Sequence, residues 1–558
     1  MLPINNFKKV FRFKFLNRSS TTIFSAASIL AVAALASRVL GLIRDRLLAG
    51  YFGAGDELDI YYTAFRLPDL VFSILIMGAI SSAFIPIFAE YFNKDEKGAW
   101  RLVNGVLNLA LISLVIAAGI LAIFAPLVIS MIAPGFSGAK REMTILLTRI
   151  MFISPVILGV SNIFSGVLQY FHRFLIYSLA PLMYNLGIIL GILIFVPKWG
   201  LVGLAWGVVL GALLHMLIQL PSTIYSGFKW RPILDFCHKG IRKIIKLMIP
   251  RTIGLAGSQI SFLVITAIAS TLASGSIAIF NLANNLQYVP IGIFGIAFAT
   301  AAFPSLARAF TKKDKKSFSE SFSLTFSQVL FLALPLSALF FILRAQIVRL
   351  ILGTGEFGWL DTRLTAAALG IFSLSIFSQS LIPLISRAFY AFQNTKTPVL
   401  ISLISIILNI GFCFFFVWIL VNLNCFSSLV SNFLKLRDLS LDKIAILGLP
   451  LAFSLTSIIN FVILLKIFNK KINWWQPEYI IKSFLRIITA TLLMVIVVYG
   501  LLYLVNLFVD THTFVGLFIQ AGISGLIGIL VYCLIMILLK SPEISTIKQL
   551  ILRVVFKK

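Results

Sequence analysis

The most constraining feature of this chain is a group of charged residues inside a long apolar segment. Residues 22–48 contain no proline and are long enough to span a membrane, yet they include Arg38, Arg44 and Asp45. A charge at bilayer depth is costly, so such a side chain normally faces a protein interior or a water-filled cavity. At 100° per residue, the three charges fall on one face of a helix, and the opposite face is apolar.

Some of these charges have a simpler interpretation. Arg44 and Arg46 lie near the end of the segment, where long basic side chains extend to the headgroups. This alternative stays open for Arg44, and it is favoured for Arg46, which falls on the apolar face. For Arg38, which lies deeper in the segment, a place in a cavity or an ion pair is favoured.

The composition is that of a membrane protein with many spans. Of the 558 residues, 60% are hydrophobic and 12% are charged, which is too apolar for a soluble protein of this length. The formal net charge of +28 does not indicate nucleic-acid binding, because the basic residues lie at the ends of apolar segments. The four cysteines are scattered, so we expect neither disulfides nor a metal site.

Fourteen apolar segments are long enough to cross the hydrocarbon core, which predicts an all-α polytopic membrane protein. The loops on one side are richer in Lys and Arg than those on the other, and this asymmetry places both termini in the cytoplasm. The first segment is predicted to be a retained span and not a signal peptide. The predicted spans are 22–48, 59–90, 101–133, 144–170, 174–197, 200–226, 244–271, 277–308, 321–351, 361–392, 397–421, 442–467, 480–507 and 513–539.

The sequence repeats itself at a period of roughly 220 residues. Residues 83–89 match 302–307, and Tyr184-Asn185-Leu186-Gly187 matches Leu408-Asn409-Ile410-Gly411. Since each copy contains six helices, both copies have the same orientation, as in transporters with two lobes. The predicted division is a basic cytoplasmic tail at 1–21, an N-terminal lobe at 22–226, a basic cytoplasmic linker at 227–243, a C-terminal lobe at 244–467, a last helix pair at 468–539 and a cytoplasmic tail at 540–558.

Further polar residues occur inside the second predicted span. Asp59 lies near its outer end, where an interfacial position is as well supported as a place in a cavity. Arg66 and Asp69 are three residues apart and fit either a binding site or a structural ion pair. Pro68 predicts a kink there, and freed backbone carbonyls are tolerated where they line a cavity.

The seventh and eighth predicted spans also carry polar side chains. Arg251 opens the seventh span, and Asn284 and Asn285 lie in the eighth. Amide groups suit the hydroxyls of a sugar, but they also suit hydrogen bonds between helices, and the second interpretation is slightly favoured. The chain has no nucleotide-binding loop and no metalloprotease or serine-hydrolase motif, so we expect no cofactor.

Several motifs along the chain occur together in one known family. They are Ser37-Arg38-Val39-Leu40-Gly41 with Arg44-Asp45, Phe52-Gly53-Ala54-Gly55 with Asp59, Leu67-Pro68-Asp69, Ala133-Pro134-Gly135-Phe136, Gly353-Thr354-Gly355-Glu356-Phe357, and Arg387-Ala388-Phe389-Tyr390-Ala391 with Thr395-Lys396-Thr397-Pro398. In this the chain resembles the MurJ/MviN family, the lipid II flippases of the multidrug/oligosaccharidyl-lipid/polysaccharide exporter superfamily. The resemblance implies two six-helix lobes around a cationic cavity, and a groove for the lipid tail on the last two helices.

The resemblance also implies a function in peptidoglycan biosynthesis, cell wall biogenesis and cell shape. The expected substrate is lipid II, an undecaprenyl-pyrophosphate sugar that is moved from the inner to the outer leaflet of the bacterial cell membrane. The implied protein is a transporter and not an enzyme. Its expected partners are the lipid substrate, membrane lipids and a membrane potential or ion gradient; we expect no nucleic acid, and a monomer.

The cavity residues of the family are matched only in part. Arg38, Arg44, Asp45 and Asp59 match two arginines and two aspartates of the family. The family has further arginines where this chain has Phe72 or Ser73, and where it has Asn284 and Asn285. We expect Arg66 and Arg251 to supply compensating charge. The predicted substrate-binding residues are therefore Arg38, Arg44, Asp45, Asp59, Arg66, Arg251, Asn284 and Asn285.

Three functions are open at this point. The first is the lipid II flippase, and the second is another polysaccharide-lipid or drug exporter of the same superfamily, which the missing arginines favour slightly. The third is a membrane enzyme or a transport-inactive scaffold. An enzyme would need paired acids or histidines at a membrane face, which we do not find in the sequence.

Overall fold

Helices account for the regular structure of the chain. The computed structural model describes residues 23–77, 83–235, 238–436, 440–472, 474 and 476–544, without the side chains of 23–28, 77, 250, 251 and 253–256. No β-strand occurs in these residues, and the predicted all-α class is confirmed. The basic tail at 1–21, Cys237, the side chain of Arg251 and most of the tail at 540–558 lie outside the described residues.

The helices are long and apolar enough for a polytopic membrane protein. Within the described residues, ten helices meet this condition alone, and an eleventh span is the pair Trp359–Ser373 and Ile376–Ala391, bent by 43°. These correspond to eleven of the fourteen predicted spans. The other three are the first, second and seventh, and they contain the charged residues that the sequence places at membrane depth. The observed helices are thus consistent with fourteen spans.

Contacts divide the chain into two compact units, of which the first comprises Met1–Leu48 and Gly55–Ile277. This unit includes helix α11 (Lys239–Ser270), whereas the sequence repeat assigns most of that helix to the predicted C-terminal lobe at 244–467. The helices that begin in this unit are α1 (Ile23–Phe52), α2 (Asp56–Phe72), α3 (Ile85–Phe92), α4 (Glu96–Ile123), α5 (Ala125–Ile132), α6 (Gly138–Met151), α7 (Ile153–Tyr170), α8 (Phe174–Leu190), α9 (Val196–Trp199), α10 (Leu201–Tyr225), α11 (Lys239–Ser270) and α12 (Ser276–Pro290).

The second unit comprises Ala49–Ala54 and Ala278–Lys558, and so includes most of α12. Stacked phenylalanines are prominent in its core, where the ring centroids of Phe322 and Phe468 lie 4.7 Å apart. Its further helices are α13 (Ala297–Thr311), α14 (Lys315–Ile342), α15 (Arg344–Leu352), α16 (Trp359–Ser373), α17 (Ile376–Ala391), α18 (Lys396–Asn422), α19 (Asn424–Leu434), α20 (Leu441–Ile444), α21 (Gly448–Ile472), α22 (Pro477–Asn506) and α23 (Phe514–Leu538).

A structural feature repeats with the same period as the sequence. Helix α2 continues into a π-helical turn at Ser73–Met77, and α12 continues into another at Ile291–Ile296. These turns lie about 220 residues apart, in the second helix of each sequence repeat. Single π turns within α-helices are uncommon and occur frequently at functional sites. These two turns agree with the internal repeat, whereas a third π turn, at Gly191–Phe195 after α8, has no counterpart in α18.

Close helix packing sets the position of α8 in the first unit. A Cβ atom added to Gly187 would lie 2.2 Å from the Cα of Gly211 on α10, so only glycine fits there. Small residues allow two backbones to approach in this way inside a membrane. The contact determines the height and rotation of the helix segment that carries Tyr184 and Asn185.

An ordered segment follows α10 and lies against α4. Asn104 donates to the carbonyl of Lys229 and accepts from the backbone N–H of Arg231, at 3.0 and 2.7 Å. Asn108 donates to the carbonyls of Arg231 and Ile233, at 2.7 and 3.0 Å. Both asparagines are buried. The beginning of the predicted basic linker is therefore held by a defined set of hydrogen bonds.

Candidate functional site

A network of polar side chains connects α1 to α8 inside the first unit. The Nε and Nη2 atoms of Arg44 donate to Oδ1 of Asp45 at 3.0 and 2.8 Å, and its Nη1 donates to Oδ1 of Asn185 at 3.1 Å. Asn185 in turn donates to Ser37 and to the carbonyl of Pro181. Asp45 is 3% exposed. Residues of two helices thus hold the arginine, and its pairing with Asp45 lowers the cost of a charge inside a membrane.

Tyrosines of α2 complete the surroundings of Arg44. Tyr61 and Tyr62 are both neighbours of the Arg44 guanidinium. The hydroxyl of Tyr62 is buried, and no described residue forms a hydrogen bond with it. A polar group of this kind is available to a ligand, because leaving it unsatisfied costs free energy.

The remainder of α1 divides into a polar side and an apolar side. Val39 and Ile43 are 50% and 43% exposed, as expected for residues that face lipid. A Cβ atom added to Gly41 would meet nothing within 4 Å, so that face borders open space. Arg38 and Arg46 are both half-buried. The predicted polar face therefore contains an oriented arginine, Arg44, and a second one, Arg38, six residues earlier.

Asp59 belongs to a second cluster, at the beginning of α2. Its Oδ2 accepts from Nζ of Lys140 at 3.2 Å and from the backbone N–H of Gly275 at 2.9 Å, and the residue is 2% exposed. Lys140 also donates to Asp56 at 2.5 Å, and Asp56 accepts from Ser274 at 2.6 Å. This outer cluster (Asp56, Asp59, Lys140, Ser274 and Gly275) connects α2, α6 and the turn after α11.

The ionisation of Asp56 responds to these contacts. Burial by itself raises the pKa of the Asp56 carboxyl, but the hydrogen bonds from Lys140 and Ser274 and the charge of Lys140 outweigh it and lower the pKa below its ordinary value. The carboxylate is therefore ionised at neutral pH. Phe136 places its ring 4.2 Å from Nζ of Lys140, and a cation over an aromatic face is a further favourable contact.

Arg66 extends from α2 to α11. Its Nε donates to Oγ1 of Thr266 at 2.8 Å, and its guanidinium lies 5.3 Å from the centre of the Phe262 ring. It also interacts electrostatically with Asp69. On α11, Gln259 donates to Oγ of Ser73 at 2.9 Å. Ser73, one of the two residues that the resemblance aligns with an arginine of the family, is a neutral side chain that accepts this hydrogen bond.

The amide groups of α12 form a hydrogen-bonded chain inside the second unit. Gln287 donates to Asn284 at 2.9 Å, and Gln379 donates to Gln287 at 3.1 Å and to Ser375 at 2.8 Å. Asn285 lies next to this chain in the sequence. The bond of Asn284 lies within α12, and the contact between helices in this chain of amides is the one from Gln379 on α17 to Gln287.

Sequence reasoning did not single out several residues of these clusters. Lys140 has no signal in the sequence, since a charged group such as Lys140-Arg141-Glu142 before an apolar run is typical of an interface. Tyr61 and Tyr62 are typical of any amphipathic helix. Asn185 does carry a signal, because the motif that contains it, Tyr184-Asn185-Leu186-Gly187, recurs in the repeat.

Comparison with known proteins identifies the family. The family model described as "Lipid II flippase MurJ" matches residues 48–519. The chain belongs to the MurJ lipid II flippase family. A relative from Buchnera aphidicola subsp. Acyrthosiphon pisum, described as a probable lipid II flippase MurJ, is 29% identical over 503 residues, which cover 88% of this chain and 93% of that protein.

Solved structures agree with this assignment. The chain is similar to a structure described as "Lipid II flippase MurJ, inward closed conformation", with a TM-score of 0.74 and 26% identity, covering 92% of this chain and 98% of that one. An inward-facing multidrug transporter of the MATE family aligns with a TM-score of 0.61 at 15% identity, covering 79% of this chain and 98% of the other, which indicates a shared fold. The predicted family is confirmed, and the chain is a multi-pass membrane transporter and not an enzyme.

Proposed function

We propose that the chain moves lipid II from the cytoplasmic to the outer leaflet of the bacterial inner membrane by alternating access. The family match over residues 48–519 supports this most directly. The network of polar side chains around Arg44 supports the proposal chemically. An oriented guanidinium suits a pyrophosphate, because it can donate paired hydrogen bonds to the phosphate oxygens. Both termini are proposed to be cytoplasmic, the protein to act as a monomer, and the membrane potential or an ion gradient to drive transport.

Within this proposal Arg38 and Arg44 bind the pyrophosphate. Arg44 is already paired with the carboxylate of Asp45. An incoming phosphate oxygen would therefore replace part of this ion pair. Asn185 keeps the guanidinium oriented during this exchange. The lipid tail is proposed to remain in the bilayer along α22 and α23, whose outer faces carry exposed apolar residues such as Leu492, Ile496 and Leu530.

The outer cluster is proposed to close the outer end of the substrate path while the pyrophosphate is taken up from the cytoplasmic side. Asp59 is almost fully buried between Lys140 and the backbone of Gly275. Opening of that end would expose both charges to water, where each is solvated, so the ion pair is reversible. Asp59 would then act as a closing residue, and its contact with substrate would require the open state.

A leaflet-specific assay of lipid II tests the proposal. In bacterial cells depleted of their own flippase, expression of the chain should restore the access of an externally added, lipid II-specific reagent to its substrate. Arg44→Ala should not restore it at equal protein level, whereas Glu320→Gln, a change of an exposed carboxylate on α14, should. If the unaltered chain leaves lipid II in the inner leaflet, the proposal is wrong.

A second candidate function, export of another lipid-linked polysaccharide or of a drug, is favoured by one observation. The resemblance places additional arginines at Phe72 or Ser73 and at Asn284 and Asn285. This chain has neutral side chains there, and Ser73 and Asn284 accept hydrogen bonds from other residues. Competition in the same assay by purified undecaprenyl-pyrophosphate sugars other than lipid II distinguishes the two candidates.

A further inference from the structure

Helix α19 (Asn424–Leu434) is a short amphipathic helix in the loop that follows α18. Only Leu423 separates it from the end of α18 at Asn422. The helix is followed by Lys435, whose backbone is left-handed with a φ of 60°. Arg363 on α16 donates to the carbonyl of Lys435 at 2.7 Å. Both ends of α19 are therefore held by helices of the second unit.

The side chains of α19 form three strips along the helix axis, and at 100° per residue each strip covers an arc of about 80–100°. The buried strip comprises Ser427, Val430, Ser431 and Leu434. The polar strip, which is exposed, comprises Asn424, Ser428 and Asn432. The apolar strip, which is also exposed, comprises Cys425, Leu429 and Phe433. One exposed side of the helix thus suits water, and the other suits an apolar environment.

The apolar strip is a contiguous exposed surface. Phe433 contacts Phe341 on α14, with 5.8 Å between the ring centres, yet it remains 65% exposed. Leu429, one turn earlier, is 62% exposed. Contiguous apolar surface of this kind marks a site of interaction with a protein or a membrane.

The length of α18 (Lys396–Asn422) places α19 near the lipid headgroups. The 27 residues of α18 rise about 40 Å along the helix axis, which exceeds the ~30 Å of hydrocarbon that a span must cross. Trp418, one turn before the end of α18, is exposed, and so is Trp359, which opens α16 one turn before Arg363. Exposed tryptophan is typical of the level between hydrocarbon and water. The turn at Leu423 therefore lies at this level.

The apolar strip continues the lipid-facing side of α18. Exposed apolar residues recur on one side of that helix at intervals of three to seven residues, at Ile407, Phe414, Trp418 and Val421. Leu423, between the two helices, is exposed as well. Because this boundary with lipid continues into α19, lipid is the occupant of the strip that the structure favours.

We propose that α19 is an interfacial helix, which lies along the membrane surface with its apolar strip among phospholipid acyl chains and its polar strip toward water. Helices of this kind insert their apolar face about 5–10 Å into the boundary between headgroups and acyl chains. Lys435, at the end of the helix, is exposed, and anionic lipids attract a positive charge at that level.

The interfacial helix gives the second unit an attachment to the membrane surface outside its spans. Through the hydrogen bond from Arg363 to Lys435, the beginning of α16 is connected to the same surface. This inference is independent of the transported substrate and of the side of the membrane on which the loop lies.

Fluorescence quenching in vesicles measures the surroundings of each strip. The full chain is reconstituted in vesicles of phosphatidylethanolamine and phosphatidylglycerol, and a single cysteine carries a small fluorophore. The matched pair is Leu429→Cys and Ser428→Cys, at adjacent residues that are both exposed. We expect lipids brominated in the upper acyl chain to quench the label at Leu429→Cys severalfold more than the label at Ser428→Cys. Iodide, present on both sides of the membrane, should show the reverse order.

A second position on the strip requires no change to α19. In a chain whose other three cysteines are replaced, Cys425 carries the label, and we expect it to be quenched by brominated lipid as the label at Leu429→Cys is. Phe414→Cys on α18 is the control for contact with lipid, and Glu320→Cys, at an exposed residue of α14, is the control for contact with water.

Two results would overturn the proposal. Strong quenching by iodide at Leu429→Cys and at Cys425, without quenching by brominated lipid, would place the apolar strip in water. Protection of both positions from both quenchers would show that protein covers the strip, such as a second copy of the chain. Neither result bears on lipid II translocation, which the leaflet-specific assay measures separately.

Discussion

Arg44 on α1 donates a hydrogen bond of 3.1 Å to Asn185 on α8, although the two residues are 141 positions apart in the sequence. The same guanidinium is paired with Asp45, its own neighbour, at 2.8 Å. One contact orients the side chain, and the other balances its positive charge with a carboxylate. An arginine held in this way remains charged at membrane depth and can exchange one anionic partner for another.

Replacement of Arg44 tests this exchange. Arg44→Ala removes the charge-assisted contacts, and the buried Asp45 carboxylate loses this ion pair, so we expect no complementation at normal protein levels. One lost contact of this type costs about 1.5–3 kcal/mol, a tenfold or larger defect in binding. Arg44→Lys should rescue only partly, because it keeps the charge but loses the guanidinium fork. The control is Arg46→Ala, whose growth should be nearly normal; equal growth of all three variants would contradict the assignment.

Cysteine accessibility tests the two sides of α1. A polar thiol reagent should label Gly41→Cys, since the space beside Gly41 is open. It should not label Val39→Cys or Ile43→Cys, whose exposure we assign to lipid. The background is a variant without the four native cysteines, measured for complementation first. Equal labelling at the three positions would exclude a water-filled space on one side of the helix.

The sequence predicted the elements of this site better than it predicted their partners. The charges of α1 were identifiable because an arginine in an apolar run has few physical explanations. The partner Asn185 was not identified, because its place opposite Arg44 depends on the packing of α8 against α10 through Gly187 and Gly211. Periodicity along one helix carries no information on such a contact. The same holds for Lys140, whose relation to Asp59 exists only in the folded chain.

The outer cluster predicts a dependence on pH. The pKa of Asp56 is lower in the folded chain than in the unfolded chain, so its contribution to stability is fully present above the unfolded value of about 4 and is lost as the pH falls through the folded value. Asp56→Asn should therefore reduce the unfolding midpoint at pH 6 and make little difference near pH 3. The measurement is thermal unfolding of both proteins across this range. A difference between them that grows as the pH falls would contradict the prediction.

Reporter fusions test the proposed topology. We expect reporters placed after Lys316 and after the last residue to be cytoplasmic, and a reporter near Ser427 to be external. This follows from fourteen spans and from the excess of basic residues in the loops assigned to the cytoplasm. The predicted spans cross the membrane an odd number of times between Lys316 and Ser427, and again between Ser427 and the last residue. A cytoplasmic signal near Ser427 would therefore contradict the predicted arrangement.

The segment after α10 provides the last prediction. Asn108 donates to two backbone carbonyls of this segment and accepts a hydrogen bond from the indole of Trp230. Asn108→Ala removes all three bonds, each worth about 0.5–1.5 kcal/mol. Local opening should therefore become at least tenfold more frequent, and cleavage by a protease tracks the population of the open form. Lys229 and Arg231 are exposed and are sites for trypsin.

Inverted membrane vesicles expose the cytoplasmic side and are the appropriate sample for this test. We expect trypsin to cut Asn108→Ala after Lys229 or Arg231 at least ten times faster than the wild type, as followed by the appearance of the two fragments. The matched control is Asn162→Ala on α7, whose amide donates only within its own helix, to Leu158. It should be cut at the wild-type rate. Equal rates for Asn108→Ala and the wild type would show that the asparagine contacts do not hold the segment, because the cleavage sites are the same in both proteins.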